Sequence, residues 1–287
     1  MVKVALVTGS NKGIGYAIVR GLCKQFDGDV ILAARDGSRG LAAVSSLEKE
    51  GLHPKFHQLD ITNQESIDQL KVFIAETYGG LDVLVNNAGM FVPPGDKESA
   101  EVAKTTIRVN YFGTLAVLQT MMPILNSGAR VVNLAGGLAS VVFRKSSPAR
   151  KKVICDAASV HDVTDVMNNY VQSVKDGVLE QEGWPVDIPK MMSPAYCIGK
   201  MGINMLSPIT QKMIDADTSR SDILINACCP GATSTDMYRG PGGKTIDEGA
   251  DTPLYVALLP PNVPEPRGQH VFQRKILEWM KHGPSCK

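Results

Sequence analysis

The sequence predicts an α/β protein built on one doubly wound parallel sheet with helices on both faces. Two observations lead there: short apolar runs alternate with helix-length amphipathic segments, and the residues suited to chemistry fall just after the apolar runs. The first run, Val2–Val7, is continuous rather than alternating, as a strand buried on both faces requires. Ile14, Ala17, Ile18, Leu22 and Cys23 then recur near helical spacing, predicting a helix to about Phe26. Val30–Ala34 is the second strand, followed by a helix to about Gly51, a strand at Lys55–Leu59 and a helix from about Gln64 to Tyr78. A strand at Val83–Val85, a long helical stretch from about Ala100 to Leu125, strands at Arg130–Leu134 and Ile223–Ala227, and a late strand near Gly268–Val271 complete the pattern.

With 44% hydrophobic residues in 287, the chain has ample material for one core, so residues 1–287 are expected to form a single domain. The net charge is +1 and the basic residues are spread along the chain, which argues against a nucleic-acid or membrane surface. The local exception, Arg144-Lys145 through Arg150-Lys151-Lys152, reads as a solvated loop. The six cysteines (Cys23, Cys155, Cys197, Cys228, Cys229, Cys286) lack metal-ligand spacing and are expected to be reduced thiols. The five histidines (His53, His57, His161, His270, His282) form no zinc motif, and no G-x-S-x-G elbow points to hydrolysis. A strand starting at residue 2 and the lack of any apolar run of spanning length predict a cytoplasmic protein without a leader or membrane span.

After the first strand comes Thr8-Gly9-Ser10-Asn11-Lys12-Gly13-Ile14-Gly15. A glycine-rich turn between a strand and a helix lets backbone N–H groups approach a pyrophosphate, so the loop reads as a phosphate cradle and the sheet as Rossmann-type. Its spacing is not G-x-G-x-x-G, and an ordinary tight turn is the alternative. The second strand ends in Arg35, where a carboxylate would hold a ribose 2′-hydroxyl and an arginine would accept a 2′-phosphate. With Lys12 in the loop and Arg39 close behind, the charges favour NADP(H) over NAD(H), with solvated surface arginines as the alternative. Asp60, after the third strand, suits either the adenine side of a cofactor or the cap of the helix starting at Thr62–Gln64. Asn86-Asn87-Ala88-Gly89 follows the fourth strand, where small residues permit close backbone approach to a ligand or simply a turn.

Tyr196 and Lys200 are four apart, so on a helix they share a face. A lysine ammonium near a phenol favours the phenolate and lowers the tyrosine pKa towards a value useful for proton transfer. Such a pair also arises by coincidence on many helices. Asn110 sits among apolar neighbours in a helical pattern, where a buried amide needs a partner, locally or at a site.

Taken in order, Thr8-Gly9, Gly13-Ile14-Gly15, Asn86-Asn87-Ala88-Gly89, Asn110, Tyr196 with Lys200, and Cys229-Pro230-Gly231 resemble the short-chain dehydrogenase/reductase family over essentially the whole chain. Longer runs, among them Gln181-Glu182-Gly183-Trp184-Pro185, Asn226-Ala227-Cys228-Cys229-Pro230-Gly231 and Ala257-Leu258-Leu259-Pro260-Pro261, are similar to its animal cytosolic NADPH-dependent carbonyl reductases. That branch carries a long helical insertion before the catalytic tyrosine, here about 141–192, and is monomeric because the insertion covers an assembly face. The resemblance implies hydride transfer from NADPH to a small-molecule ketone, aldehyde or quinone, with Tyr196, Lys200 and Asn110 catalytic. Tyr196 donates the proton, Lys200 binds the nicotinamide ribose and lowers the tyrosine pKa, and Asn110 holds a water of the proton relay. The implied cofactor contacts are Gly9, Asn11, Lys12, Gly13, Ile14, Gly15, Arg35, Asp60, Ile61, Asn87, Ala88, Gly89, Tyr196, Lys200, Pro230, Gly231, Thr233 and Thr235. No metal is expected.

One position departs from the pattern. The family keeps a serine that hydrogen-bonds the substrate carbonyl just after the fifth strand, and counting from Asn133 that position is Gly136. Loss of a comparable oxyanion donor costs roughly 10²–10³ in rate. Ser140 is four residues away, a long displacement for hydrogen-bond geometry. Ala232 stands where relatives place a bulky aromatic, so the substrate pocket is expected to be wider, with Gly136, Ser140, Phe91, Ala232 and Met237 as its candidate residues. The alternative function is an impaired NADPH-binding protein acting as a sensor or binding partner. Lys12 and Arg35 argue against a third, an NAD⁺-dependent alcohol dehydrogenase.

Overall fold

A computed structural model describes residues 2–92, 99–188, 193–238 and 241–281; His282, Cys286 and the end of the expected insertion at 189–192 lie outside the described residues. The chain runs β1 (Val4–Thr8), α1 (Gly13–Gln25), β2 (Asp29–Ala34), α2 (Gly37–Glu48), β3 (Lys55–Gln58), α3 (Gln64–Tyr78) and β4 (Leu81–Asn86). It continues with α4 (Ala100–Ile107), a π-helical turn (Arg108–Gly113), α5 (Thr114–Met121), a 3₁₀ turn (Met122–Ile124) and β5 (Leu125–Leu134). The remainder is α6 (Ala139–Lys145), α7 (Pro148–Asp156), α8 (Val160–Asp176), α9 (Pro194–Asp215), β6 (Leu224–Cys229), α10 (Ile246–Ala257), β7 (His270–Phe272) and β8 (Lys275–Ile276).

The eight strands form one sheet in the order β3-β2-β1-β4-β5-β6-β7-β8. All neighbours are parallel except β7 and β8, so the expected parallel sheet ends in an antiparallel edge. The two exposed residues of β8 carry no periodic signal. Strand order reverses between β1 and β4, and crevices at such reversals, beyond the carboxyl ends of the strands, are where ligands bind these sheets.

β5 begins five residues before the expected Arg130, because Asn126, Ser127 and Gly128 lie at its solvent-facing start and break the apolar run. The long helical stretch is interrupted by the π turn, a slipped hydrogen-bond pattern that residue types do not announce. The basic segment expected to be a solvated loop is helical in α6 and α7, and Arg150 is buried. Its guanidinium lies 4.5 Å from the Trp184 ring centre and pairs with Glu182 at 2.9 Å. The Trp184 indole N–H donates to Asn169 and its ring meets Tyr170 edge-on, so this tryptophan anchors the inserted segment. The insertion's helix α8 packs on α4 and α9. Contact is close enough that a Cβ on Gly202 would meet Tyr111 at 2.7 Å and Met167 at 2.9 Å. At the opposite end of the sheet, buried Arg130 donates to the Leu259 and Pro260 carbonyls and pairs with Asp222, which gives the Leu259-Pro260 run a structural role.

Candidate active site

The loop after β1 and the turn after β4 are laced together across the strand reversal. Thr8 Oγ1 accepts the N–H groups of Asn87 (3.1 Å) and Ala88 (3.0 Å), and Asn87 Nδ2 donates to the carbonyls of Thr8 and Gly9, both at 2.9 Å. Ser10, fully buried, donates to the Val7 carbonyl and accepts the Ala33 N–H, tying the loop to the end of β2. Gly9 and Gly13 have φ of 62° and 61°, conformations that glycine adopts without strain. Side chains are also excluded by space: a Cβ on Gly9 would lie 2.7 Å from Ala88 Cα, and one on Gly15 would lie 2.4 Å from Asn87 Nδ2.

Helix α1 starts at Gly13 with no side-chain cap, whereas α2, α3, α4, α7, α8, α9 and α10 each begin on a capping Asp, Asn, Ser or Thr. An uncapped N-terminus in a glycine cradle leaves N–H donors and the positive helix end available to an anion. Arg35 at the end of β2 and Arg39 in α2 are exposed, and Arg39 lies 3.5 Å from Asp36. Lys12 pairs with Asp236 at 2.6 Å, an arrangement the sequence does not signal. Asp60 is not the helix cap. Asn63 caps α3, while Asp60 accepts the N–H and hydroxyl of Thr62 in a local turn. Ile61 is buried against Gly113, which holds the start of α5 to this turn. Asn11 and Ile14 are half-buried on the loop.

The second cluster lies just past Gly89. Asn110, fully buried in the π turn, accepts the Met90 N–H and donates to the Met90 carbonyl, both at 2.8 Å. Its side-chain amide is thus engaged with the Met90 peptide group. The Lys200 ammonium donates to the Leu134 carbonyl at 2.6 Å and would lie 3.6 Å from a Cβ on Gly89. Lys200 and the half-buried Tyr196 share a face of α9, with the ammonium 5.8 Å from the ring centre and Phe91 edge-on to Tyr196 at 5.5 Å.

Burial governs both groups: it pulls Lys200 from 10.5 down to about 8 and pushes the Tyr196 phenol above its ordinary value. This reverses the expected direction for the tyrosine. Helical spacing brings Lys200 to the same face, but its ammonium is bound to Leu134 rather than to the phenol.

Beside them Gly136 is open. Among the described residues a Cβ there would find Lys200 Cβ and Cγ, both at 3.8 Å, so a first side-chain atom fits without displacement. Ser140 is buried with its hydroxyl donated to the Gly137 carbonyl at 2.6 Å. Cys229 has a role the sequence reading missed: its Sγ accepts the N–H groups of Gly137 (3.3 Å) and Gly231 (3.4 Å), joining the turns after β5 and β6. After Pro230, Gly231 turns at φ 80°, and Thr233 is buried with its hydroxyl on the Gly231 carbonyl. Thr235 reaches the glycine loop, its methyl 3.4 Å from where a Gly13 Cβ would lie. Ala232 and Met237 are exposed on this segment, Met237 by 44%.

The profile of the short chain dehydrogenase family matches residues 3–148. This chain is a short chain dehydrogenase. Carbonyl reductase (NADPH) 3 of Rattus norvegicus is 44% identical to this short chain dehydrogenase over 280 residues, covering 96% of this chain and 98% of the relative. Carbonyl reductase (NADPH) 1 of Homo sapiens is 42% identical, covering 97% and 99%. Among solved structures, salutaridine reductase from Papaver somniferum superposes with a TM-score of 0.82 at 26% identity, covering 94% of this chain and 99% of that one. Menthone neomenthol reductase from Mentha piperita gives 0.79 at 28% identity, covering 96% and 100%.

Proposed function

We propose that this short chain dehydrogenase reduces the carbonyl of a small-molecule ketone, aldehyde or quinone to an alcohol with NADPH. The observation that carries this reading is the placement of Lys200 beside Gly89, one residue beyond the Asn87–Ala88 segment that closes the cradle, with Tyr196 on the same face of α9. The cradle fits a dinucleotide: its glycines exclude Cβ atoms, and α1 offers uncapped N–H groups. Gly9, Asn11, Gly13, Ile14 and Gly15 would hold the pyrophosphate, Lys12 and Arg35 the 2′-phosphate, and Asp60 and Ile61 the adenine. Asn87, Ala88, Gly89, Pro230, Gly231, Thr233 and Thr235 would hold the nicotinamide half. When bound, NADPH supplies the hydride.

The protein's own part is proton delivery. A phenol with a raised pKa keeps its proton at neutral pH, so Tyr196 is poised as the acid that protonates the developing alkoxide. Lys200, charged below about pH 8, holds the ribose and stabilises the phenolate left behind. Asn110 fixes the Met90 peptide beside both groups. Phe91, Gly136, Ser140, Ala232 and Met237 border the substrate, and Gly136 slows or narrows the reaction by leaving the carbonyl one donor short. The protein acts as a single-domain monomer, since α8 covers α4 and α9, and works in the cytoplasm. No helix among the described residues is long and apolar enough to cross a membrane.

Gly136 also favours a second reading, a cofactor-binding protein without turnover. An assay following NADPH absorbance with menadione, isatin and aromatic aldehydes separates the two. Consumption with at least one of them is expected; NADPH binding with a flat signal for all would favour the sensor or binding-partner role.

A further inference from the structure

Lys12 and Asp236 are 224 positions apart, yet their side chains meet at 2.6 Å. The segment carrying Asp236 holds its own shape. Ser234 N–H donates to the Lys244 carbonyl at 2.8 Å, Lys244 N–H to the Ala232 carbonyl at 2.9 Å, and Thr235 and Tyr238 exchange N–H···O bonds at 3.1 Å. The segment after β6 therefore touches Gly13 through Thr235 and closes on Lys12 through Asp236. Both charged groups are more than half exposed, at the rim of the cradle.

We propose that Asp236 tunes the cofactor preference by competing with the 2′-phosphate of NADPH for the Lys12 ammonium. The inference rests on the reading above, in which Lys12 serves that phosphate. An ammonium on a flexible four-carbon stem is a compact charge that can swing from a carboxylate to a phosphate. NADH, which has no 2′-phosphate, leaves the Lys12–Asp236 pair as it is, whereas NADPH draws Lys12 out of it. Exposed ion pairs are weak, so the competition is worth a factor of about two to five in affinity.

The test is an equilibrium titration of the cofactor-free protein with NADPH and with NADH, read by nicotinamide fluorescence, on wild type, Asp236→Asn, Lys12→Met and the double variant. Asp236→Asn is expected to tighten NADPH by about two- to fivefold and leave NADH unchanged. Lys12→Met is expected to weaken NADPH by about tenfold, the scale of one charge-assisted contact, and to abolish the effect of Asp236→Asn in the double variant. If Lys12→Met leaves NADPH affinity unchanged, the assignment of Lys12 to the 2′-phosphate fails and the proposal with it. If Lys12→Met weakens NADPH but Asp236→Asn changes neither cofactor, or tightens both equally, the competition is overturned while the NADPH reading stands.

Discussion

Around the glycine loop, Thr8, Ser10 and Asn87 bind backbone groups on β1, β2 and β4, and no Cβ can be added at Gly9 or Gly15 without a clash. Around Gly136 the surroundings are open, Ala232 and Met237 are exposed, and the Ser140 hydroxyl is bonded to the Gly137 carbonyl. The cofactor side is over-determined by hydrogen bonds and sterics; the substrate side tolerates change. A site built this way can keep its cofactor while its chemistry drifts.

The sharpest way to break that contrast is at the acid. Tyr196→Phe removes the proposed proton donor but none of the cradle's bonds, so turnover is expected to fall by about 10²–10⁴ with NADPH affinity unchanged. A parallel loss of binding, read by fluorescence titration, would mean the two sides are not separable. On the cofactor side, Gly15→Ala forces a methyl against Asn87 and the Gly9 carbonyl. Overpacking of this kind costs about 1–3 kcal/mol, which predicts NADPH binding weaker by roughly 10- to 100-fold and a lower melting temperature. Insertion of the same methyl at Gly136 should leave both nearly unchanged.

The pH dependence sharpens the contrast further. Because the folded pKa of Lys200, about 8, lies below its ordinary 10.5, the unfolded chain holds that proton more tightly between these values. The Lys200 contribution to stability therefore rises as pH climbs through this window, while the ammonium itself is lost. For reduction, kcat/KM is expected to fall about tenfold per pH unit above about pH 8. Urea unfolding and initial rates measured over the same buffers would show stability and activity moving in opposite directions; a flat rate profile to pH 10 would remove Lys200 from the chemistry.

What was legible in the sequence follows the same division. Strand and helix periodicity, the glycine loop and the Gln64–Tyr78 helix are local signals, the last punctuated by Asn63 and Gly79. The π turn that buries Asn110, the burial of Arg150 under Trp184 and the Lys12–Asp236 pair depend on segments far apart or on hydrogen-bond slippage, and no local pattern encodes them. The direction of the tyrosine shift is hidden from the sequence for a related reason. Spacing on α9 places Lys200 on the correct face, but only the fold supplies the Leu134 carbonyl that takes its ammonium and the burial that raises the phenol.

On the proposed reading the cofactor side is intact and the substrate side lacks one donor. Measuring NADPH affinity and kcat/KM side by side for wild type and Gly136→Ser tests it most directly. A Cβ has room at Gly136, so with serine there affinity should stay within about twofold while kcat/KM rises by at least about tenfold, a fraction of what one oxyanion donor is worth. Wild type that fails to bind NADPH, or a serine variant that binds it equally well with no gain in kcat/KM, would contradict the account.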